Sequence, residues 1–78
     1  MQQMPSIDFR MHTANQLMKL EEYKKSVKVL ETIVAEEDEY AETWYLLAFN
    51  LTKLKKYESA EECLKNVTLL VQKQKCDN

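Results

Sequence analysis

Few residues in this 78-residue chain are of types that do covalent or metal chemistry, and their spacing does not gather them. His12 is the single histidine. Cys63 and Cys76 stand apart with no second Cys or His pair, whereas a structural zinc site takes four ligands in closely spaced pairs. Ser6, Ser26 and Ser59 have no neighbouring base pattern that would activate a hydroxyl. Glycine is absent, so a Gly-rich phosphate cradle is excluded. Two Asn-x-Thr sequons, at Asn50 and Asn66, fall inside helical patterns and are read as chance. No catalytic residue, metal ligand or cofactor is expected, and the chain reads as a non-enzyme. The chemistry left is non-covalent. Glu36, Glu37, Asp38, Glu39 and Glu42 form an acidic block with no base among them. Such a block is either a solvated connection or a contact for a basic partner.

The net charge of −2 is too small to argue for nucleic acid or a membrane surface. The lysine-rich stretches also lack the interleaved aromatics of a nucleic-acid site. A composition of 45% hydrophobic and 31% charged residues suits a folded, helix-rich domain. With no Gly and one Pro, Pro5, tight β-turns are disfavoured and an all-α fold is expected. No apolar run approaches the roughly 20 residues that span a bilayer. No secretory leader is visible, so the expected location is intracellular, cytoplasmic and/or nuclear. There both cysteines stay reduced, with Cys63 a small buried hydrophobe.

Elements emerge from an internal repeat. Shifting residues 7–40 by 34 places lays Ala14 on Ala48, Leu17 on Leu51, Leu20 on Leu54, Tyr23 on Tyr57, Leu30 on Leu64 and Ile33 on Val67. A fixed period of this length signals stacked helical hairpins. Ser6 is expected to cap a first helix running to about Leu20. Tyr23, Val27, Leu30, Ile33 and Val34 give a second helix its buried stripe. Asp38 is expected to cap a third helix carrying Tyr40, Trp44, Leu47, Ala48 and Leu51, and a fourth runs from Tyr57 toward Lys73. Each Leu-x-x-Tyr, Leu20 to Tyr23 and Leu54 to Tyr57, is expected to pin its hairpin by an apolar contact. Ala14, Ala48 and Ala60 are expected where helix backbones approach closely. The domain then spans 6–74, with repeats at 7–40 and 41–74, a flexible lead-in at 1–5 and a flexible tail at 75–78.

The 34-residue period, Trp44-x-x-Leu47-Ala48-x-x-Leu51, and then Tyr57, Ala60 and Leu64 resemble the tetratricopeptide repeat. The likeness covers residues 7–74. It is stronger in the second copy, since Arg10 and Thr13 stand where that copy has Trp44 and Leu47. The usual Gly is Ala in both copies, and Asp38 takes the place of the usual Pro in the first. The resemblance implies two tandem hairpins in a short right-handed α-solenoid that binds a protein or peptide. A narrower likeness, over about 20 residues, rests on the acidic stretch Glu36–Glu39 leading into Trp44-Tyr45-Leu46-Leu47. It is similar to the repeats of a eukaryotic chaperone that protects a very basic large-subunit ribosomal protein, the one numbered four. That implies an intracellular chaperone or adaptor for a basic client segment, in ribosome assembly, and a chain that is the terminal part of a longer array or a divergent short relative. The alternatives are a scaffold subunit and a self-associating domain.

In this repeat class the first helix of each pair lines the concave face. The resemblance therefore implies partner contacts at Met11, Asn15, Met18 and Lys19, and at Tyr45, Phe49, Thr52 and Lys53, with Asp8 and Glu42 at one rim. The spacing agrees, because Met11, Asn15 and Met18 share a helical face, as do Tyr45, Phe49 and Thr52. Family members that grip acidic chaperone tails need a basic clamp. The matching places here hold Met11, Asn15 and Leu46. The acidic block would also repel such a tail. Two repeats leave the fourth helix without a cap, so a homodimer or missing neighbouring repeats are expected.

Overall fold

The computed structural model describes residues 5–76. Four helices follow one another: α1 Ile7–Lys19, α2 Tyr23–Glu36, α3 Ala41–Lys53 and α4 Tyr57–Cys76. Successive helices pack in order, α1 on α2, α2 on α3 and α3 on α4, so two hairpins share a seam between α2 and α3. The all-α tandem of helical hairpins is the fold. The helix α4 continues two residues past the boundary expected at 74. Of the flexible ends expected at 1–5 and 75–78, residues 1–4 and 77–78 lie outside the described residues, whereas the Pro5 carbonyl accepts from Arg10 and residues 75 and 76 belong to α4.

Local chemistry explains where α1 begins. The Ser6 hydroxyl accepts a hydrogen bond from the Phe9 amide at 3.2 Å, satisfying a donor the first turn would leave orphaned. Asp8 in the first turn and Lys19 in the last complement the helix dipole.

Both hairpin turns end their first helix in the same way. The Glu22 amide reaches back to the Leu17 carbonyl at 2.8 Å, and the Glu21 amide to Met18 at 3.0 Å. Thirty-four residues on, Lys56 reaches Leu51 at 2.8 Å and Lys55 reaches Thr52 at 3.0 Å. This double backbone closure needs one left-handed residue. Glu21 at φ 60° and Lys55 at φ 65° supply it, in a chain without glycine. Backbone bonds close both turns, and one member of each expected apolar pin, Leu20 in the first and Tyr57 in the second, is exposed, while Tyr23 and Leu54 are half-buried. A left-handed non-Gly residue carries a steric cost that glycine avoids, partly offset by glycine's greater freedom when unfolded. Glu21→Gly and Lys55→Gly should therefore each raise stability by up to about 1 kcal/mol, seen as a melting temperature several degrees higher.

The core runs through both hairpins: Ala14, Val27, Leu30, Ile33, Leu47, Ala48, Leu51, Ala60 and Cys63. The small residues lie at close helix approaches, as the 3.1 Å bond from the Ser26 hydroxyl to the Ala14 carbonyl demonstrates for α1 and α2. The expected Asp38 cap is also overturned. Tyr40 occupies the cap position of α3, and no side chain caps it. The Asp38 carbonyl instead accepts from the Trp44 indole at 2.9 Å, which ties the 37–40 connection onto the helix that follows.

Candidate functional site

Because α1 and α3 begin one repeat apart, their N-terminal ends lie side by side, with the end of α2 beside them. The surface opens there into a cleft of about 830 Å³ lined by Asp8, Met11, Glu36, Glu39, Tyr40 and Glu42, among others. Thr43 also lines it; this side chain is wholly buried, and its hydroxyl donates to the Met11 sulfur at 3.8 Å. The cleft thus joins the acidic block to the start of the expected concave face, with Asp8 and Glu42 both at its wall.

The acidic block has bases after all, brought from distant helices. Arg10 is buried, and its Nη2 donates to Glu36 Oε2. Its Nη1 donates to the Thr32 hydroxyl at 3.2 Å and its Nε to the Pro5 carbonyl at 2.9 Å. Lys73 Nζ lies 3.4 Å from Glu39 Oε1, an exposed pair that adds little stability. Glu37 accepts from the Glu39 amide at 3.1 Å. Glu36 and Glu37 are therefore engaged in holding the linker and the helix end. Asp8, Asp38 and Glu42 are exposed, and among the described residues none of them forms an ion pair.

Along the first helices the structure separates the expected contact residues by role. Met11 is half-buried at the junction of α1 and α3. Asn15 and Met18 are half-buried on α1, and Lys19 is exposed. On α3, Tyr45 and Phe49 remain exposed large hydrophobics. The Phe49 ring stands edge-on to Tyr23 of α2, with centroids 6.4 Å apart and planes at 68°. Lys53 Nζ lies 5.5 Å from the centroid of the same ring. Such contacts hold an aromatic side chain in place at the surface. Thr52 is exposed but spends its hydroxyl on the Ala48 carbonyl at 2.8 Å.

Two residues of this region escaped the sequence reading. Tyr40 is expected on the third helix, yet it sits just outside α3, exposed on the cleft wall. Arg10 looked like a poor substitute for Trp, and only its long-range partners give it a role. Among the described residues, no group of three or more His, Cys, Asp and Glu side chains could hold a metal ion. Burial pushes the Cys63 thiol above its usual range, with Glu62 and then Glu31 adding to the effect, so it is a poor thiolate nucleophile near neutral pH. No described helix is long and apolar enough to cross a membrane.

No curated protein and no solved structure matches the chain. A family model described as tetratricopeptide repeat matches residues 17–75, from the last turn of α1 through all but the final residue of α4. That span contains the motif from Trp44 to Leu64, and the described residues fold as the two helical hairpins this repeat forms. The protein belongs to the tetratricopeptide repeat family, whose members are generally non-enzymatic modules that bind other proteins.

Proposed function

We propose that this chain holds a basic, extended segment of a client protein, as an intracellular chaperone or adaptor. The observation that carries this reading is the cleft at the N-terminal ends of α1 and α3, where Asp8 and Glu42, in no ion pair among the described residues, face one opening beside the paired Glu36 and Glu39. A Lys or Arg of the client enters it. Apolar or aromatic client residues then lie along α3 against Tyr45 and Phe49, whose large exposed area suits adaptable capture. The acidic stretch leading into Trp44-Tyr45-Leu46-Leu47 supports a client of the ribosomal-protein type, and with it a role in ribosome assembly in the cytoplasm or nucleus. A permanent scaffold contact is the second reading, favoured by the exposed Tyr57, Leu64, Leu69 and Val71 on α4.

The test uses labelled peptides in fluorescence anisotropy, one rich in Lys, Arg and Leu and one with Asp and Glu in place of the cations. The basic peptide should bind and the acidic one should not. Affinity should fall at least about tenfold from low to physiological salt, because the exposed carboxylates are screened. Asp8→Lys with Glu42→Lys should slow association without loss of helical signal. Asp8 and Glu42 are the places to reverse charge, because Glu36 is committed to Arg10. Tyr45→Ala with Phe49→Ala should raise the dissociation rate. Equal binding of the acidic peptide, or salt-independent binding, would refute the reading. A pull-down from cell extract against the Tyr45/Phe49 double variant then reads out whether basic ribosomal proteins are among the clients.

A further inference from the structure

The two ends of the molecule carry the two halves of its own internal seam. On α2, Leu30 and Ile33 are wholly buried and Tyr23 meets Phe49 of α3. One repeat later, on α4, their counterparts are Leu64 at 45% exposure, a half-buried Val67 and an exposed Tyr57. The difference is not in residue type: Leu answers Leu, Tyr answers Tyr, and Val answers Ile. It arises because α2 has α3 against its second side, whereas nothing among the described residues covers that side of α4.

The opposite end mirrors this. Thr43, Leu47 and Asn50 share one face of α3, and all three are buried. The Thr43 bond to Met11 shows that this face looks toward the first hairpin. Their counterparts on α1 are Phe9 at 60% exposure, a half-buried Thr13 and an exposed Gln16. Thus α1 presents the uncovered version of the α3 face, and α4 presents the uncovered version of the α2 face.

We infer that copies of this chain stack head to tail, α1 of one copy lying on α4 of the next and continuing the seam already present between α2 and α3. The crossing is antiparallel, as Tyr23 at the start of α2 meeting Phe49 near the end of α3 requires. It brings the end of α1 to the start of α4. By repeat register, the interior seam has the cations Lys53 on α3 and Lys24 on α2 near these ends, and at the junction their counterparts are Lys19 and Glu58, opposite in sign. The contact is heterologous, so each added copy leaves both end faces available and growth does not stop at two. One helix laid on another falls below about 1,200 Å² of total burial, which places the contact among weak associations. The inference does not rest on the acidic cleft, and its test does not depend on any client.

Sedimentation equilibrium of the full chain decides it. The average mass should climb past that of two copies as concentration rises from about 10 μM to about 1 mM, the range where weak contacts form. Leu64→Glu blocks the α4 face and Phe9→Glu blocks the α1 face. Each variant alone should remain monomeric, because every junction needs both faces from the same variant. An equimolar mixture should form 1:1 dimers and stop there, through the α1 face of the first variant and the α4 face of the second. A monomeric parent chain would overturn the inference. So would a variant that still associates alone, which marks a symmetric contact, or a mixture that stays monomeric. Circular dichroism confirms that each variant keeps its helices. If one does not, Tyr57→Lys replaces Leu64→Glu and Gln16→Glu replaces Phe9→Glu in the same design.

Discussion

Leu30→Ala should leave most of this domain unfolded at physiological temperature, while Leu64→Ala, the same change one repeat later, should be tolerated. Leu30 is wholly buried, with α1 on one side and α3 on the other. Truncating a buried Leu removes its transfer free energy and leaves a cavity, at about 2–5 kcal/mol. A single core in a chain of this size seldom supplies more than about 3–5 kcal/mol in total. One side chain can therefore consume nearly all the stability. Leu64 has only α3 against it and stands 45% exposed, so it leaves little cavity and should cost under about 1.5 kcal/mol. Urea denaturation of both variants, at a concentration low enough to keep the chain monomeric, measures the difference. Equal costs would mean that α4 is covered in solution as fully as α2.

Glu36→Ala should destabilise the fold by about 2–3 kcal/mol, more than Arg10→Met at the other end of the same pair. The asymmetry follows from exposure. The Arg10 side chain is 7% exposed and that of Glu36 is 54% exposed. Removing Glu36 strands a guanidinium away from water, with the Pro5 carbonyl and the Thr32 hydroxyl as its remaining acceptors. Removing the Arg10 charge leaves a carboxylate that water can reach. The flexible thioether of Met fills much of the vacated volume. Thr32 keeps its own bond to the Val29 carbonyl, and exposed Pro5 can bond to solvent. Arg10→Met should thus cost under about 1 kcal/mol. Chemical denaturation of both variants tests the order, and a larger loss from Arg10→Met would show that packing of the arginine stem outweighs the buried charge.

This ion pair shows how far the sequence could be read. The acidic block was plain, and so was its possible use against a basic partner. That Glu36 would be engaged was not, because its base lies 26 residues away on another helix. The concave-face residues were assigned from spacing and family likeness. Their spacing shows which residues share a face, but Phe49 is steadied by Tyr23, a residue expected in a buried stripe and across a hairpin turn. The cleft wall at Tyr40 was missed because a helix period continues smoothly through a residue that lies just outside the helix.

Periodicity and composition alone determined the number of helices, their approximate limits, the small residues at close approaches and the 34-residue register. These properties are local: each helix needs an apolar stripe at 3.6-residue spacing and signals at its ends, and all of that is written within about 15 consecutive residues. Only the tertiary structure decided how the turns close, which carboxylates face solvent and which copies of a repeated residue are covered. Leu30 and Leu64 have the same type and the same place in the repeat, yet one is sealed and the other open. Burial and charge pairing depend on what lies across a helix interface, and a residue's own neighbours in sequence carry no record of it.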